Sequence, residues 1–229
     1  MTAPARAKLR AEGHAIARSA RPGKGKGTNT RRALDLLLAK RNEHPEHLAD
    51  LDREIWGAFG ETHAVWVLDM CGFSRLTMRY GITHFLSMIH RLHGIVRPII
   101  ARHEGRVVKT EADNVFAVFG AVAAAVAAAR DVQEQLATAN VFLPEDWDLH
   151  ASIGMGYGEI LMVEDDDCYG HELNLASKLG EDVAAAGETL LTEAAHERLL
   201  AEGPTTTPSF EPRPVTVSKM TIRAWALGP

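Results

Sequence analysis

The chain has 229 residues, 46% of them hydrophobic and 24% charged, which is the composition of an ordinary globular protein and excludes a fully disordered or fibrous chain. Asp and Glu number 30 against 25 Lys and Arg, so the net charge of −5 disfavours a protein that binds nucleic-acid phosphates over its whole surface. The two cysteines cannot form a disulfide framework, and neither a secretory signal nor the ~20 apolar residues of a membrane span is found, which predicts a soluble, cytoplasmic protein.

The first sixty residues are predicted to form two segments. Within the first 32 residues, nine basic residues stand against one acid. Residues 1–29 are interpreted as a flexible basic arm, either a solvated terminus or an arm for an acidic partner. Residues 30–60 carry leucines at helical spacing on both sides of Pro45. This spacing predicts a helical hairpin that packs against the rest of the protein or against a second copy.

Residues 61–229 are predicted to be one α+β domain. In chain order, the predicted elements are a buried strand at Ala64–Leu68, a helix at Ser74–Arg102 kinked at Pro98, a hairpin of strands Arg106–Thr110 and Asn114–Phe119, an alanine-rich helix at Ala121–Ala139, strands at His150–Met155 and Glu159–Val163, a helix at Asn174–Ala186, a strand at Thr189–Thr192, a helix at Glu193–Ala201 and a last hairpin within Pro214–Leu227. This order predicts a sandwich in which helices cover one face of a mostly antiparallel sheet with a ferredoxin-like βαββαβ core.

Two carboxylates stand at the ends of predicted strands. Asp69 directly follows the first buried strand, just before a helix is predicted to begin, and Asp113 lies at the tip of the first hairpin. A helix N-terminus offers free N–H groups to an anion, and two carboxylates at adjoining strand ends can hold hard divalent cations together with a phosphate chain. Each aspartate alone is more often a helix cap or a turn residue, so only their combination indicates a metal site.

Three segments resemble the signature blocks of the class III nucleotidyl cyclases, the family of the adenylate and guanylate cyclase catalytic domains. They are VLDMCGFS at residues 67–74, GRVVKTEAD at residues 105–113 and DCYGHELNLASKL at residues 167–179. The resemblance covers residues 63–227. Three blocks in the family's order, each on the expected type of element, are far more specific than any one block.

The resemblance implies a role for each matched residue. By position these are Asp69, Asp113 and the carbonyl of Met70 as ligands of two divalent cations (Mn²⁺ or Mg²⁺), Lys109 and Asp167 as readers of the base edge, Asn174 as the residue that orients the ribose, Lys178 as the residue that stabilises the transition state, and Phe73 and Lys219 as further substrate-binding residues, Lys219 for the triphosphate. The implied reaction converts a nucleoside triphosphate to a 3′,5′-cyclic nucleotide and pyrophosphate. The family's sites lie between two subunits, so a homodimer with two shared sites is implied.

Three residues depart from the family's pattern. Lys178 stands where the family usually has an arginine, so that a point charge replaces a planar, two-pronged donor. Ala112 stands where glycine is common, and either the backbone there is strained at a positive φ or the methyl group narrows the pocket. Tyr169 adds bulk beside Asp167.

The nucleobase stays open at this stage. A lysine donor and an aspartate acceptor suit the edges of adenine and uracil alike, guanine is compatible, and cytosine fits less well. The smaller pyrimidine ring would leave a space that Ala112 and Tyr169 are suited to fill. The plan of the chain also resembles the stand-alone pyrimidine cyclases of bacterial anti-phage signalling, which narrowly favours UTP and the product cUMP. The alternative is an adenylate cyclase, which base rates among bacterial class III cyclases favour.

Two hypotheses from other classes compete with an active cyclase. A catalytically dead domain that binds a nucleotide as a sensor would explain Lys178 and Ala112, but the presence of both metal aspartates, Lys109 and Asp167 argues against it. A sheet-faced RNA-binding module would need aromatic and basic residues alternating on an exposed sheet. The strand at residues 114–119 carries no such pattern.

Overall fold

The computed structural model describes residues 29–144, 147–203, 209–217 and 220–228. The helices are α1 (Arg31–Glu43), α2 (Leu48–Phe59), α3 (Phe73–Tyr80), α4 (Ile82–Arg102), α5 (Val122–Asn140), α6 (His171–Lys178) and α7 (Glu193–Glu202). The strands are β1 (Gly60–Met70), β2 (Arg106–Glu111), β3 (Asn114–Phe119), β4 (Ala151–Val163), β5 (Asp167–Tyr169), β6 (Thr189–Thr192), β7 (Phe210–Val217) and β8 (Met220–Leu227). A 3₁₀ turn, Pro45–His47, links the first two helices, and a π-helical turn, Leu179–Val183, follows α6. No helix in these described ranges is long and apolar enough to cross a membrane.

The strands form a single sheet in the order β2-β3-β1-β4-β6-β8-β7, with β5 paired to β4. The pairing of β4 with β6 is parallel, and the other pairings are antiparallel. The predicted α+β sandwich with a mostly antiparallel sheet is therefore confirmed. The centre of the sheet is β1, which pairs with β3 on one side and along its whole length with β4 on the other.

Successive residues of β1 divide the core between the two faces of the sheet, because side chains alternate along a strand. Trp66 and Leu68 point to the face that α4, α5 and α7 cover, and Trp66 meets Phe119 edge to face at 6.5 Å. Val65 and Val67 point to the opposite face, where residues of α6 complete a smaller apolar cluster. The site residues described below lie around this second face.

The structure differs from the sequence prediction at several places. The helix predicted at Asn174–Ala186 is α6 followed by the π-helical turn, β5 was not predicted, and β7 begins at Phe210, inside a predicted loop. The helix predicted from Ser74 to Arg102 is two helices, which meet at Gly81 with a φ of 81°, while Pro98 lies inside α4. A residue without a Cβ adopts this left-handed φ without strain, so the break falls at the glycine and not at the proline. The two strands predicted around the glycines of residues 154–158 are one strand, β4. A Cβ on Gly156 would lie 2.6 Å from the carbonyl oxygen of Glu172, so this glycine permits the close approach of α6.

The first two helices pack against the end of β4. Leu34 of α1 and Ile55 and Phe59 of α2 form a buried apolar cluster with Val163. Arg41 and Asp52 join the two helices by an ion pair of 2.5 Å. Of the basic arm predicted at residues 1–29, only Asn29 is within the described residues. The helical hairpin therefore packs at the same end of β4 with which β5 pairs.

Candidate active site

The structure brings Asp69 and Asp113 together at one end of the sheet. Asp69 continues the odd-numbered series of β1, on the face of Val65 and Val67. Leu68 is in register with Val115 of β3, so the tip of the β2–β3 hairpin, which carries Asp113, lies beside the end of β1. Strand pairing between distant parts of the chain thus assembles the predicted carboxylate pair.

This end of the sheet is strongly acidic. Burial, together with the negative charges of Asp113, Glu181 and Asp182, raises the pKa of Asp69 to about 7. Burial also raises the pKa values of Asp113 and Glu181. The sequence analysis missed Glu181, which lies in the π-helical turn after α6 and accepts a hydrogen bond from Asn114 Nδ2 at 3.1 Å. Half-buried carboxylates that repel each other in this way are stabilised by a bound cation.

The donors of this acidic end fit hard divalent cations. Carboxylate and carbonyl oxygens are the ligands that Mg²⁺ and Mn²⁺ prefer, and Met70, whose carbonyl is the predicted third ligand, is the last residue of β1. Within the described residues, no group of three or more His, Cys, Asp and Glu side chains is arranged to hold a metal ion. A cation here would therefore complete its coordination with phosphate oxygens or water, as Mg²⁺ commonly does.

The loop after β1 is fixed by backbone geometry. Cys71 N–H donates to the carbonyl of His150 at 2.8 Å, and Gly72 adopts a left-handed φ of 94° immediately before α3. The side chain of the predicted substrate-binding residue Phe73, and the whole of Lys219, lie outside the described residues. Their predicted roles stay predictions.

Ala112 lies in the β2–β3 turn with a φ of 51°, so the strained alternative of the sequence analysis is the one that the backbone adopts. A non-glycine residue in the left-handed region costs about 1 kcal/mol. We therefore expect Ala112→Gly to raise the free energy of unfolding by about 0.5–1 kcal/mol, measured by urea denaturation. Ala137→Gly, on an exposed position inside α5, is the control and should lower it by about 1 kcal/mol. A loss of stability in both variants would contradict the strain at Ala112.

A second cluster forms around Asp167 at the start of β5. Lys109 Nζ lies 3.0 Å from Asp167 Oδ1 and 2.6 Å from a carboxylate oxygen of Glu111, so the two predicted base-reading residues are in direct contact. The same ammonium group lies 5.0 Å from the centre of the Phe116 ring, on the face of the sheet that α6 covers. Although burial lowers the pKa of Lys109, its hydrogen bonds to Glu111 and Asp167 raise it overall, so this side chain is a permanent cation.

Arg31 belongs to this cluster and was missed by the sequence analysis. From the first turn of α1, its guanidinium Nη2 lies 2.5 Å from Asp167 Oδ2, and its Nη1 donates to the Tyr169 hydroxyl at 2.6 Å. Burial would raise the pKa of Asp167, but the hydrogen bonds from Tyr169, Arg31 and Lys109 hold it well below its usual range. No local pattern signals a contact between residues 136 positions apart in the chain.

The remaining predicted residues lie on α6. Asn174 and Lys178 are one helical turn apart and therefore share a face, with Asn174 exposed and Lys178 Nζ 3.9 Å from Asp182. In the described part of the chain, no hydrogen bond or ion pair joins Lys109, Asp167, Asn174 or Lys178 to the two metal-site aspartates. Lys178 nevertheless lies near the acidic end, because its partner Asp182 also raises the pKa of Asp69. We call the group around Lys109 and Asp167 the base-edge cluster.

Comparison with other proteins identifies relatives for this domain. No family model matches the chain. A putative adenylate cyclase 3 of Rhizobium meliloti (strain 1021) is 34% identical over 134 residues, which are 58% of this chain and 22% of the relative. The serine/threonine-protein kinase pkn2 of Myxococcus xanthus is 28% identical over 130 residues, 57% of this chain and 15% of the kinase. The chain thus spans less than a quarter of the length of either relative.

Solved structures share the fold over most of the chain. An adenylate/guanylate cyclase/hydrolase from Silicibacter pomeroyi superposes with a TM-score of 0.63 at 26% identity, covering 74% of this chain and 98% of that one. A bacterial light-regulated adenylyl cyclase gives a TM-score of 0.63 at 17% identity and covers 86% of this chain and 64% of its own. Because the identity in the second comparison is only 17%, it supports a shared fold and nothing more. Together with the three sequence blocks, these similarities confirm the resemblance drawn from the sequence.

Proposed function

Because the chain carries a class III nucleotidyl cyclase catalytic domain, we propose that it converts a nucleoside triphosphate to a 3′,5′-cyclic nucleotide and pyrophosphate. The observation that carries the proposal is the pairing of Asp69 with Asp113 at one end of a cyclase-type sheet, together with the direct contact of Lys109 and Asp167 on the same sheet. The two pairs match the two tasks of the reaction, which are holding the triphosphate and holding the base. We extend the proposal to a division into an arm at 1–29, a helical hairpin at 30–60 and a catalytic domain at 61–229.

The acidic end would hold two divalent cations, Mg²⁺ or Mn²⁺, through Asp69, Asp113 and the Met70 carbonyl. When bound, such ions lower the pKa of the ribose 3′-hydroxyl and neutralise charge on the triphosphate. The chain's own contribution is to place two half-buried carboxylates side by side, Asp69 near the end of β1 and Asp113 in the β2–β3 turn. Their mutual repulsion, which raises the pKa of Asp69, is relieved when positive charge enters.

The other residues position the nucleotide for in-line attack. Lys109 donates to the base edge, and Asn174 holds the ribose so that its 3′-oxygen faces the α-phosphorus. A new bond forms between that oxygen and the α-phosphorus while the bond to the bridging oxygen of the β-phosphate breaks, and pyrophosphate leaves as the 3′-hydroxyl proton passes to solvent. Lys178 places a positive charge at the α-phosphate, where negative charge accumulates during the transfer.

The active unit in this proposal is a homodimer with two shared sites. In the family that the sequence blocks resemble, each site takes its metal ligands from one subunit and its base readers from the other, so a complete site would combine the acidic end of one copy with the base-edge cluster and α6 of the other. The face of the sheet around Val65 and Val67 is covered by the short helix α6, whereas three helices cover the opposite face. A second copy is the partner expected on the less covered face.

For the nucleobase we propose UTP, with cUMP as the product and a role in anti-phage signalling, and ATP as the alternative substrate. Tyr169 supports a small base because its ring lies beside Asp167, held by a hydrogen bond of 2.6 Å from its hydroxyl to Asp167 Oδ2. Ala112 gives no separate support for a small base, since the β2–β3 turn itself explains its positive φ.

The decisive experiment is to incubate the purified protein separately with ATP, GTP, CTP and UTP in the presence of Mn²⁺ and to identify the products by chromatography and mass spectrometry. A cyclic monophosphate from one triphosphate establishes the activity and names the base, and cUMP is the expected product. Nucleotide binding without any product would instead support the alternative of a dead sensor, for which the lysine at position 178 is the favouring observation.

The transition-state role of Lys178 can be tested by Lys178→Arg. A guanidinium offers two parallel donors where an ammonium offers a point charge, so the substitution should change kcat several-fold and leave KM within about twofold. Steady-state kinetics with the preferred triphosphate measures both constants. Lys40→Arg, at an exposed position of α1, is the matched control and should change neither kcat nor KM. A change confined to KM would place Lys178 in ground-state binding.

A further inference from the structure

The carboxylate of Asp167 has no free acceptor position in the structure. Oδ2 accepts from Arg31 Nη2 at 2.5 Å and from the Tyr169 hydroxyl at 2.6 Å. Oδ1 accepts from its neighbour's backbone, Cys168 N–H, at 2.9 Å and lies 3.0 Å from Lys109 Nζ. A carboxylate has about four lone-pair sites, and these four donors fill them. An amino group on a base would therefore have to displace one of these partners.

The donor that distinguishes this arrangement is Arg31, and its position is fixed by the start of α1. Asn29 Nδ2 donates to the Met162 carbonyl at 3.0 Å while its Oδ1 accepts from Glu164 N–H at 3.0 Å, so this side chain holds the segment against the β4–β5 turn. Thr30 caps the helix by accepting from the Ala33 N–H at 3.1 Å. The start of α1 therefore holds the backbone of Arg31 in a position from which its guanidinium reaches Asp167.

Several donors of this cluster remain available. Arg31 has five N–H groups and uses two on Asp167 and Tyr169, and Lys109 has three and uses two on Asp167 and Glu111. The Tyr169 hydroxyl donates its only proton to Asp167. The cluster therefore offers N–H donors to a ligand and withholds its carboxylate. A carbonyl oxygen, with two lone pairs, is the group that such a cluster recognises.

We propose that Arg31 is a positioning residue that occupies Asp167 and so makes the base pocket select a base whose exocyclic edge group is a carbonyl oxygen, as in uracil, against adenine, whose exocyclic group is an amino group. This inference rests on the proposed cyclase function and names its substrate class. Both adenine and uracil lose Asp167 as an acceptor, so the discrimination lies at the exocyclic position. There the spare N–H groups of Arg31 and Lys109 can donate to the O4 of uracil, whereas the amino group of adenine is itself a donor and finds no acceptor. Removing Arg31 frees Oδ2 and admits adenine.

The test compares kcat/KM for ATP and UTP in the wild type, Arg31→Met and Arg31→Lys. We expect the ratio of ATP to UTP to rise about tenfold in Arg31→Met, which is the effect of one charge-assisted hydrogen bond, and less in Arg31→Lys, which keeps the charge without the fork. Arg41→Met is the matched control, because Arg41 lies on the same helix, is similarly exposed and forms a comparable ion pair with Asp52. It should leave the ratio unchanged. Thermal unfolding verifies that all variants are folded.

The outcomes separate this inference from the proposed function. A wild type that forms cyclic nucleotide but prefers ATP, or an Arg31→Met ratio equal to that of Arg41→Met, overturns the inference and leaves the cyclase standing. A wild type that forms no product overturns the cyclase, and calorimetric titration of ATP and UTP then decides about Arg31. Tighter binding of UTP that is lost only in Arg31→Met supports the inference, whereas equal binding of the two nucleotides, or no binding, overturns it.

Discussion

Asp69→Asn is expected to lower the rate of cyclic nucleotide formation on the order of a thousandfold and at the same time to raise the melting temperature of the metal-free protein. The loss of rate follows from the loss of a carboxylate that anchors the cations, since ~4 kcal/mol of transition-state stabilisation corresponds to that factor. The gain in stability follows from the raised pKa of Asp69, about 7, which shows that its charged form is unfavourable in the folded state. The amide removes that charge and keeps the shape.

The raised pKa of Asp69 also predicts how stability depends on pH. Because the pKa of Asp69 lies near 7 in the folded protein against an ordinary value of 3.8, the folded state binds more protons than the unfolded state between those values. Between about pH 4 and 7, the free energy of unfolding of the metal-free wild type should therefore fall relative to that of Asp69→Asn as the pH rises. The lowered pKa of Asp167 acts below the same window, in more acidic solution, and does not mask the effect.

Melting curves from pH 4 to 8 in the presence of a chelator, and the same series with Mn²⁺, measure this behaviour. Manganese should stabilise the wild type most at high pH, where Asp69 is ionised, and should have little effect on Asp69→Asn. The exposed Asp166→Asn is the matched control and should change neither turnover nor slope. Wild-type turnover in Asp69→Asn would contradict the metal site, and equal slopes of melting temperature against pH in the two metal-free proteins would contradict the buried charge.

The sequence sufficed for the features that depend on local pattern. The buried run Ala64–Leu68, which ends at Asp69, and the hairpin turn at Asp113 were enough to predict a carboxylate pair at adjoining strand ends. The structure confirms the mostly antiparallel α+β sandwich in which they stand. What a single strand cannot specify is its neighbours, so the pairing that brings the two aspartates together had to come from the fold.

The features that the sequence could not supply depend on contacts between distant segments. The ion pair of Arg31 with Asp167 joins residues 136 positions apart, and the repulsion of Asp69 by Glu181 arises only when the turn after α6 packs beside β1. The helix break at Gly81 was missed for a different reason. Proline is the stronger helix breaker in an isolated chain, but Pro98 lies within α4, whereas a left-handed φ ended the preceding helix.

Two inactive variants are expected to restore activity when they are combined in one dimer. In the proposed mechanism, Asp69→Asn removes the metal site of its own chain, and Asn174→Ala removes the ribose-orienting residue that the chain would supply to its partner. If the sites are shared, a dimer of one copy of each has one site with both defects and one intact site. Co-expression with two different affinity tags isolates this heterodimer, and it should show about half of the wild-type rate per dimer.

The matched control is the heterodimer of Asp69→Asn with Asp113→Asn. Both aspartates belong to the same acidic end, so each site of this heterodimer lacks one metal ligand and no activity should return. A chain that completed its site alone would show no recovery in either heterodimer. Recovery with Asn174→Ala but not with Asp113→Asn would therefore place the acidic end and α6 of one site on different subunits.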